Sequence, residues 1–160
     1  MSLFTLVLFL HVALAIVAFG ASFGFPFIFS LAAKEPAHLN FALRATEAVV
    51  SRLMTPAFVV MPFLGLWLIY ISPFQWDLWR SEWLVTSIGI YTAAFFYGAL
   101  VQGPVSKRLI ALTGGQPKPE DLPEIQRLAK RAQIGGMLLG IAVIVIALLM
   151  VWKPGGQPVT

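Results

Sequence analysis

Cysteine is absent from the 160 residues, which removes disulfides, thiolate metal ligands and cysteine nucleophiles together and leaves the redox compartment unread. Charge is scarce: Asp, Glu, Lys and Arg make up 11% of the chain, against about 25% in a soluble domain. Histidine occurs twice, at His11 and His38. No Asp, Glu, Lys or Arg falls in the runs 1–33, 53–76, 83–106 and 132–152. Intramembrane acids and lysines mark proton relays and ion pathways, and their absence disfavours a proton-coupled transporter. No nucleophile–base pair, phosphate-binding loop or metal motif occurs, so the reading leans away from an enzyme.

What is present is apolar. Hydrophobic residues account for 59% of the chain and the mean hydropathy is +0.85. Each charge-free run meets the roughly 20 residues needed to cross about 30 Å of hydrocarbon. The prediction is an all-α integral membrane four-helix bundle, a single domain over 1–160 with helices at about 3–32, 40–72, 82–111 and 120–152. The N-terminus lacks a basic n-region and its apolar run outlasts the 7–15 residues of a signal's h-region, so the first helix is predicted to be retained.

The formal charge of +4 and pI near 9.8 report topology here, with no nucleic-acid partner expected. Lys34, Arg44 and Arg52 lie in the first connection, and Lys107, Arg108, Lys118, Arg127, Lys130 and Arg131 in the third. The second holds only Arg80 and the tail only Lys153. This asymmetry predicts both termini outside, in the bacterial inner membrane. Helices two and four should extend into the cytoplasm. The stretch 39–53 places Leu39, Ala42, Ala45, Val49 and Leu53 on one helix face. The stretch 118–136 has acids early, bases late and a stripe of Leu122, Ile125 and Leu128, as an amphipathic helix requires. Lys107, Arg108, Arg127, Lys130 and Arg131 are expected to meet anionic lipid headgroups. Trp76, Trp79 and Trp83 read as interfacial anchors.

Two G-x-x-x-G pairs, Gly20 with Gly24 and Gly136 with Gly140, predict close helix packing, within the chain before any homodimer. Pro26, Pro56, Pro62 and Pro104 should each bend a helix and free a carbonyl that needs another partner. Serine and threonine hydroxyls at depth are expected to bond their own helix, and Gln102 to reach the interface.

His11, within LFLHVALAIVAFG, is the candidate functional residue, because imidazole in hydrocarbon needs a partner. Its face continues through Leu14, Ala15, Ala18, Ser22 and Phe25, small in the middle and suited to packing on another helix. Tyr91 and Thr92 lie at a similar depth and are the predicted hydrogen-bond partners. His38 is 27 residues further on, about 40 Å along a helix at 1.5 Å per residue, so the two histidines cannot share one ion within a subunit. The first reading of His11 is structural, in a non-enzymatic accessory or structural subunit with no cofactor. The alternative makes it the ligand of haem b, shared across a dimer, or of copper. A third reading, transport of a small neutral or hydrophobic solute, would need a lined cavity.

The stretches LHV, AIVAFGASFGF, SRLMTPAFVVMPFLGLWLI, GPVSKRL and LLMVWKP, in this order and spacing from His11 to Pro154, resemble a bacterial family of predicted integral membrane proteins (domain of unknown function twenty-two sixty-nine). The resemblance implies a four-helix inner-membrane protein and brings no established activity. More distantly, the leading histidine is similar to that of the CopD-type copper-resistance proteins and of the HemJ-type protoporphyrinogen oxidases. The latter resemblance implies haem. This chain lacks the intramembrane lysine of the HemJ type.

Overall fold

The structure, a computed structural model, describes residues 2–72, 81–115 and 118–154. Trp76, Trp79, Arg80 and residues 155–160 lie outside the described residues. Four long helices make up the fold: α1 (Leu3–Lys34), α2 (Pro36–Ile71), α3 (Glu82–Leu112) and α4 (Pro119–Trp152). All four are long and apolar enough to cross a membrane, and no strand occurs among the described residues. At about 1.5 Å per residue each exceeds the roughly 30 Å of bilayer hydrocarbon. Each helix therefore has a segment left over.

Local chemistry sets the helix ends. The Ser2 hydroxyl accepts the Thr5 N–H at 3.1 Å and starts α1. At the end of α3, Asn40 of α2 donates to the Ile110 carbonyl at 2.9 Å and to Thr113 Oγ1 at 3.0 Å. A last-turn carbonyl has no partner in its own helix, so this amide caps α3 while tying it to α2. Helix α4 closes on Lys153, whose φ of 48° is left-handed and whose N–H returns to the Leu149 carbonyl; Pro154 follows.

The prolines act on the turn before them. A proline cannot donate to the carbonyl four residues earlier, and its ring crowds that carbonyl. Before Pro26 the chain tightens to 3-10 helix over Ala21–Gly24. Before Pro56 and Pro104 it widens to π-helix over Val50–Met54 and Gly98–Gln102. Each irregularity moves the missing bond to a neighbour. Thr55 N–H reaches the Val50 carbonyl and Gly103 N–H the Gly98 carbonyl, one residue beyond the α-helical partner.

The helices pair as two antiparallel hairpins, α1 with α2 and α3 with α4. They meet at the end carrying the first and third connections, where Leu39–Val49 of α2 packs on Gly103–Leu112 of α3. There Leu43, Val105, Leu109, Ile125 and Leu128 form a buried cluster from three helices. Ile125 and Leu128 are on the predicted stripe of α4, while Leu122 is exposed. On α2 the buried face is Ala42, Leu43 and Thr46, with Ala45 and Leu53 turned outward. The phase differs from the sequence reading because Thr46 satisfies its own hydroxyl on the Ala42 and Leu43 carbonyls. A threonine so bonded can occupy a core position.

The G-x-x-x-G pairs are not where the helices of this chain approach. A Cβ at Gly24, Gly136 or Gly140 would meet nothing within 4 Å, and one at Gly20 only Ile16 of its own helix. Close approach occurs instead at Gly65 and Gly135, beside larger side chains from the facing helix. Trp83 is buried, with the Lys153 ammonium 5.8 Å from its ring centroid, so the two ends of the second hairpin touch.

At the opposite end of that hairpin, beyond the charge-free runs, Arg108 forks onto Glu124 at 3.0 and 3.3 Å. The hydrogen bond from Arg108 holds the Glu124 carboxyl below its ordinary value of 4.5. A depressed carboxylate adds stability above that value and loses it as pH falls through the folded-state range. The thermal midpoint of the protein should exceed that of Glu124→Gln at neutral pH, by a small margin that shrinks with salt and closes in acid below about 4.5. A margin unchanged in acid would show that the ion pair is not its source.

Candidate functional site around His11

The middle of the first hairpin is built from small and flat groups. Ala18 of α1, fully buried, packs on Ala57 and Met61 of α2, with Leu14, Ala15, Phe19, Phe58 and Tyr91 around them. This is the small-centred face that runs from His11. One turn and more toward the N-terminus, His11 lies against Gly65 of α2. A Cβ built there would come 3.4 Å from His11 Cε1 and 3.9 Å from Nδ1. Glycine leaves the ring in ordinary van der Waals contact with the facing helix. His11 Nδ1 is buried and has no hydrogen-bond partner among the described residues.

The two predicted partners donate elsewhere. Thr92 bonds the Ile88 carbonyl of its own helix at 2.8 Å. Tyr91 crosses from α3 to α2 and donates a hydrogen bond to the Phe58 carbonyl. Phe58 lies four residues before Pro62, which has no N–H to give it. The tyrosine hydroxyl thus supplies the donor that the proline removes, one of the ways in which membrane helices tolerate proline. Around this bond the Phe58 ring meets Phe19 edge-on at 5.0 Å and Tyr91 at 5.8 Å.

A second cross-helix tie joins α3 to α4. Gln102 Nε2 donates to the Ala132 carbonyl at 2.8 Å, so this amide turns into the bundle instead of reaching the interface. Its Oε1 overlaps the place a Cβ would take at Gly135, and the Tyr97 hydroxyl lies 2.7 Å from that place. Gly135 is buried, and its missing side chain is what admits both polar groups. Ser22 and Ser87 bond carbonyls of their own helices, at Phe19 and Trp83.

Sequence reasoning did not find Gly65, Phe58 or Gly135. Pro62 was the available signal for one of them, since the orphaned carbonyl falls on Phe58 by counting back four. The other two depend on which faces meet, and no spacing encodes that.

No group of three or more His, Asp or Glu that could hold an ion occurs among the described residues. The edge of His11 that faces α2 has room for no more than a methyl group at Gly65.

The model of the family described as "Predicted integral membrane protein (DUF2269)" matches residues 5–154. The chain belongs to that family. The match takes in both hairpins and His11. It carries membrane insertion and no activity. No curated protein and no solved structure matches the chain, so the likeness to CopD-type and HemJ-type proteins gains nothing from these comparisons. For this DUF2269 member, function has to be argued from the side chains within the membrane.

Proposed function

We propose that this DUF2269 protein is a non-enzymatic accessory or structural subunit of the bacterial inner membrane. In this reading both termini face outside and the basic connections lie in the cytoplasm, against anionic headgroups. The observation that supports it is how the intramembrane polar groups are used. Tyr91 and Gln102 tie neighbouring helices through backbone carbonyls, while Ser22, Ser87 and Thr92 bond their own helices. Donors committed in this way hold a bundle together; they do not converge on a substrate. His11, packed on Gly65, is an internal group of the α1–α2 interface.

The unpartnered Nδ1 is the one observation that favours a ligand, and the test is aimed at it. Protein expressed with a haem precursor and copper supplied, then purified, should show no Soret band and no stoichiometric copper. His11→Leu, which removes a buried imidazole lacking a partner, should fold with stability equal to the parent or raised by about 1 kcal/mol. A Soret band or bound copper that disappears in His11→Leu, with the helical circular dichroism retained, would overturn the structural reading in favour of a haem or copper protein. A solute passage would show instead as solute flux in vesicles that His11→Leu alters.

A further inference from the structure

We propose that the outer seam between α3 and α4 is a binding groove for one acyl chain of an anionic phospholipid, with Arg131 receiving the phosphate. Two half-open hollows, of about 230 and 240 Å³, lie along this seam and share Tyr97. The first is lined almost wholly by apolar atoms, and three of its lining residues, Ala93 and Ala94 of α3 and Ala142 of α4, are small. The second holds the polar groups, Gln102 and Arg131. The hollows adjoin at Tyr97, the first apolar and the second bearing the cation.

The dimensions suit a lipid tail. From Arg131 to Ala142 the helix rises roughly 16 Å at about 1.5 Å per residue, close to the half-thickness of a hydrocarbon layer about 30 Å deep. Arg131 is exposed, and it is the last charge before the apolar run of α4. Its guanidinium sits where a phosphate would be, and a planar fork of donors matches phosphate oxygens. Arg127 and Lys130, also exposed, add positive charge at the same helix end. No acid lines either hollow beside Arg131, so the cation at the seam is open to an anion from outside the chain. The proposal rests on the headgroup contact in the reading above, but not on orientation.

Native mass spectrometry of the delipidated full chain in detergent tests it, with phosphatidylglycerol, phosphatidylethanolamine of the same acyl chains, and oleate as probes. Phosphatidylglycerol should be retained about fivefold over phosphatidylethanolamine, the worth of one cation near an anionic surface. Arg131→Gln should abolish that preference and leave phosphatidylethanolamine retention unchanged. Ala93→Leu, at an exposed position, and Ala142→Leu should each lower retention of both phospholipids severalfold, with circular dichroism as the control for folding. Equal retention of the two phospholipids by the parent, or retention untouched by both leucine variants, would overturn the groove. Oleate held as tightly as phosphatidylglycerol would overturn the phospholipid assignment, and a dimer that forms as lipid is removed would assign the seam to a second copy. Because binding is read in detergent, a reversed topology would leave these results standing, and a failed groove would leave the topology standing.

Discussion

Replacing Gly135 by alanine should destabilise the protein by about 1–3 kcal/mol, as overpacking does, although alanine is the better helix former by about 1 kcal/mol. The clash decides the sign. The new methyl would overlap Gln102 Oε1, lie 2.7 Å from the Tyr97 hydroxyl and 3.1 Å from Gln102 Cδ. Both side chains have to move, and the Gln102 bond to the Ala132 carbonyl goes with them. Gly136→Ala and Gly140→Ala are the controls, because nothing lies within 4 Å of either new methyl. They should be neutral or stabilising by up to about 1 kcal/mol. Reversible unfolding in mixed micelles would measure all three. Adding Gln102→Ala to Gly135→Ala should recover part of the loss, since residues in contact do not add. If Gly135→Ala behaved like its two neighbours, the α3–α4 seam described above would be wrong.

Tyr91→Phe should cost about 1–3 kcal/mol, the penalty for leaving a buried polar group without its partner. The ring and its contacts with Phe58 would survive; what is lost is the donor to the Phe58 carbonyl. The same carbonyl has no helical donor because Pro62 stands four residues on. That makes the two positions a coupled pair. Pro62→Ala restores an N–H to the helix, so in that background Tyr91→Phe should lose little. A double-mutant cycle on Tyr91 and Pro62 should therefore give a coupling of about 1 kcal/mol or more, opposite in sense to the single loss. Additive effects would mean that the hydroxyl is not standing in for the proline.

Both predictions concern contacts whose ingredients were visible in the sequence and whose pairing was not. Pro62 announces an orphan carbonyl by the arithmetic of the helix, yet three tyrosines were available to meet it, and depth alone directed Tyr91 to His11 instead. Gln102 was legible as a polar group near the edge of an apolar run. Its inward turn depends on Gly135 across the seam, which no feature of α3 specifies.

The glycines show the same division. G-x-x-x-G spacing states that a helix can be approached closely, and in this chain the open Cβ positions at Gly24, Gly136 and Gly140 show that the partner helices come in elsewhere. In a membrane, lipid tails are as apolar as leucine, so no difference in hydrophobicity marks one helix face as inner. The usual amphipathic signal exists only where the helices leave the apolar layer, and there Ile125 and Leu128 were read correctly.

The class and the architecture were determined by the sequence alone, because a charge cannot sit cheaply in hydrocarbon and four charge-free runs long enough to cross it leave one solution for a backbone that must satisfy itself. The irregular turns before Pro26, Pro56 and Pro104 were equally local, whereas before Pro62 the helix stays regular and Tyr91 supplies the missing donor. Only the tertiary structure decided that His11 meets Gly65, that Tyr91 serves the Phe58 carbonyl and that Gln102 occupies the space over Gly135. Those pairings depend on the rotation of each helix about its axis, which packing volume and single hydrogen bonds set, and a uniformly apolar surface carries no record of it.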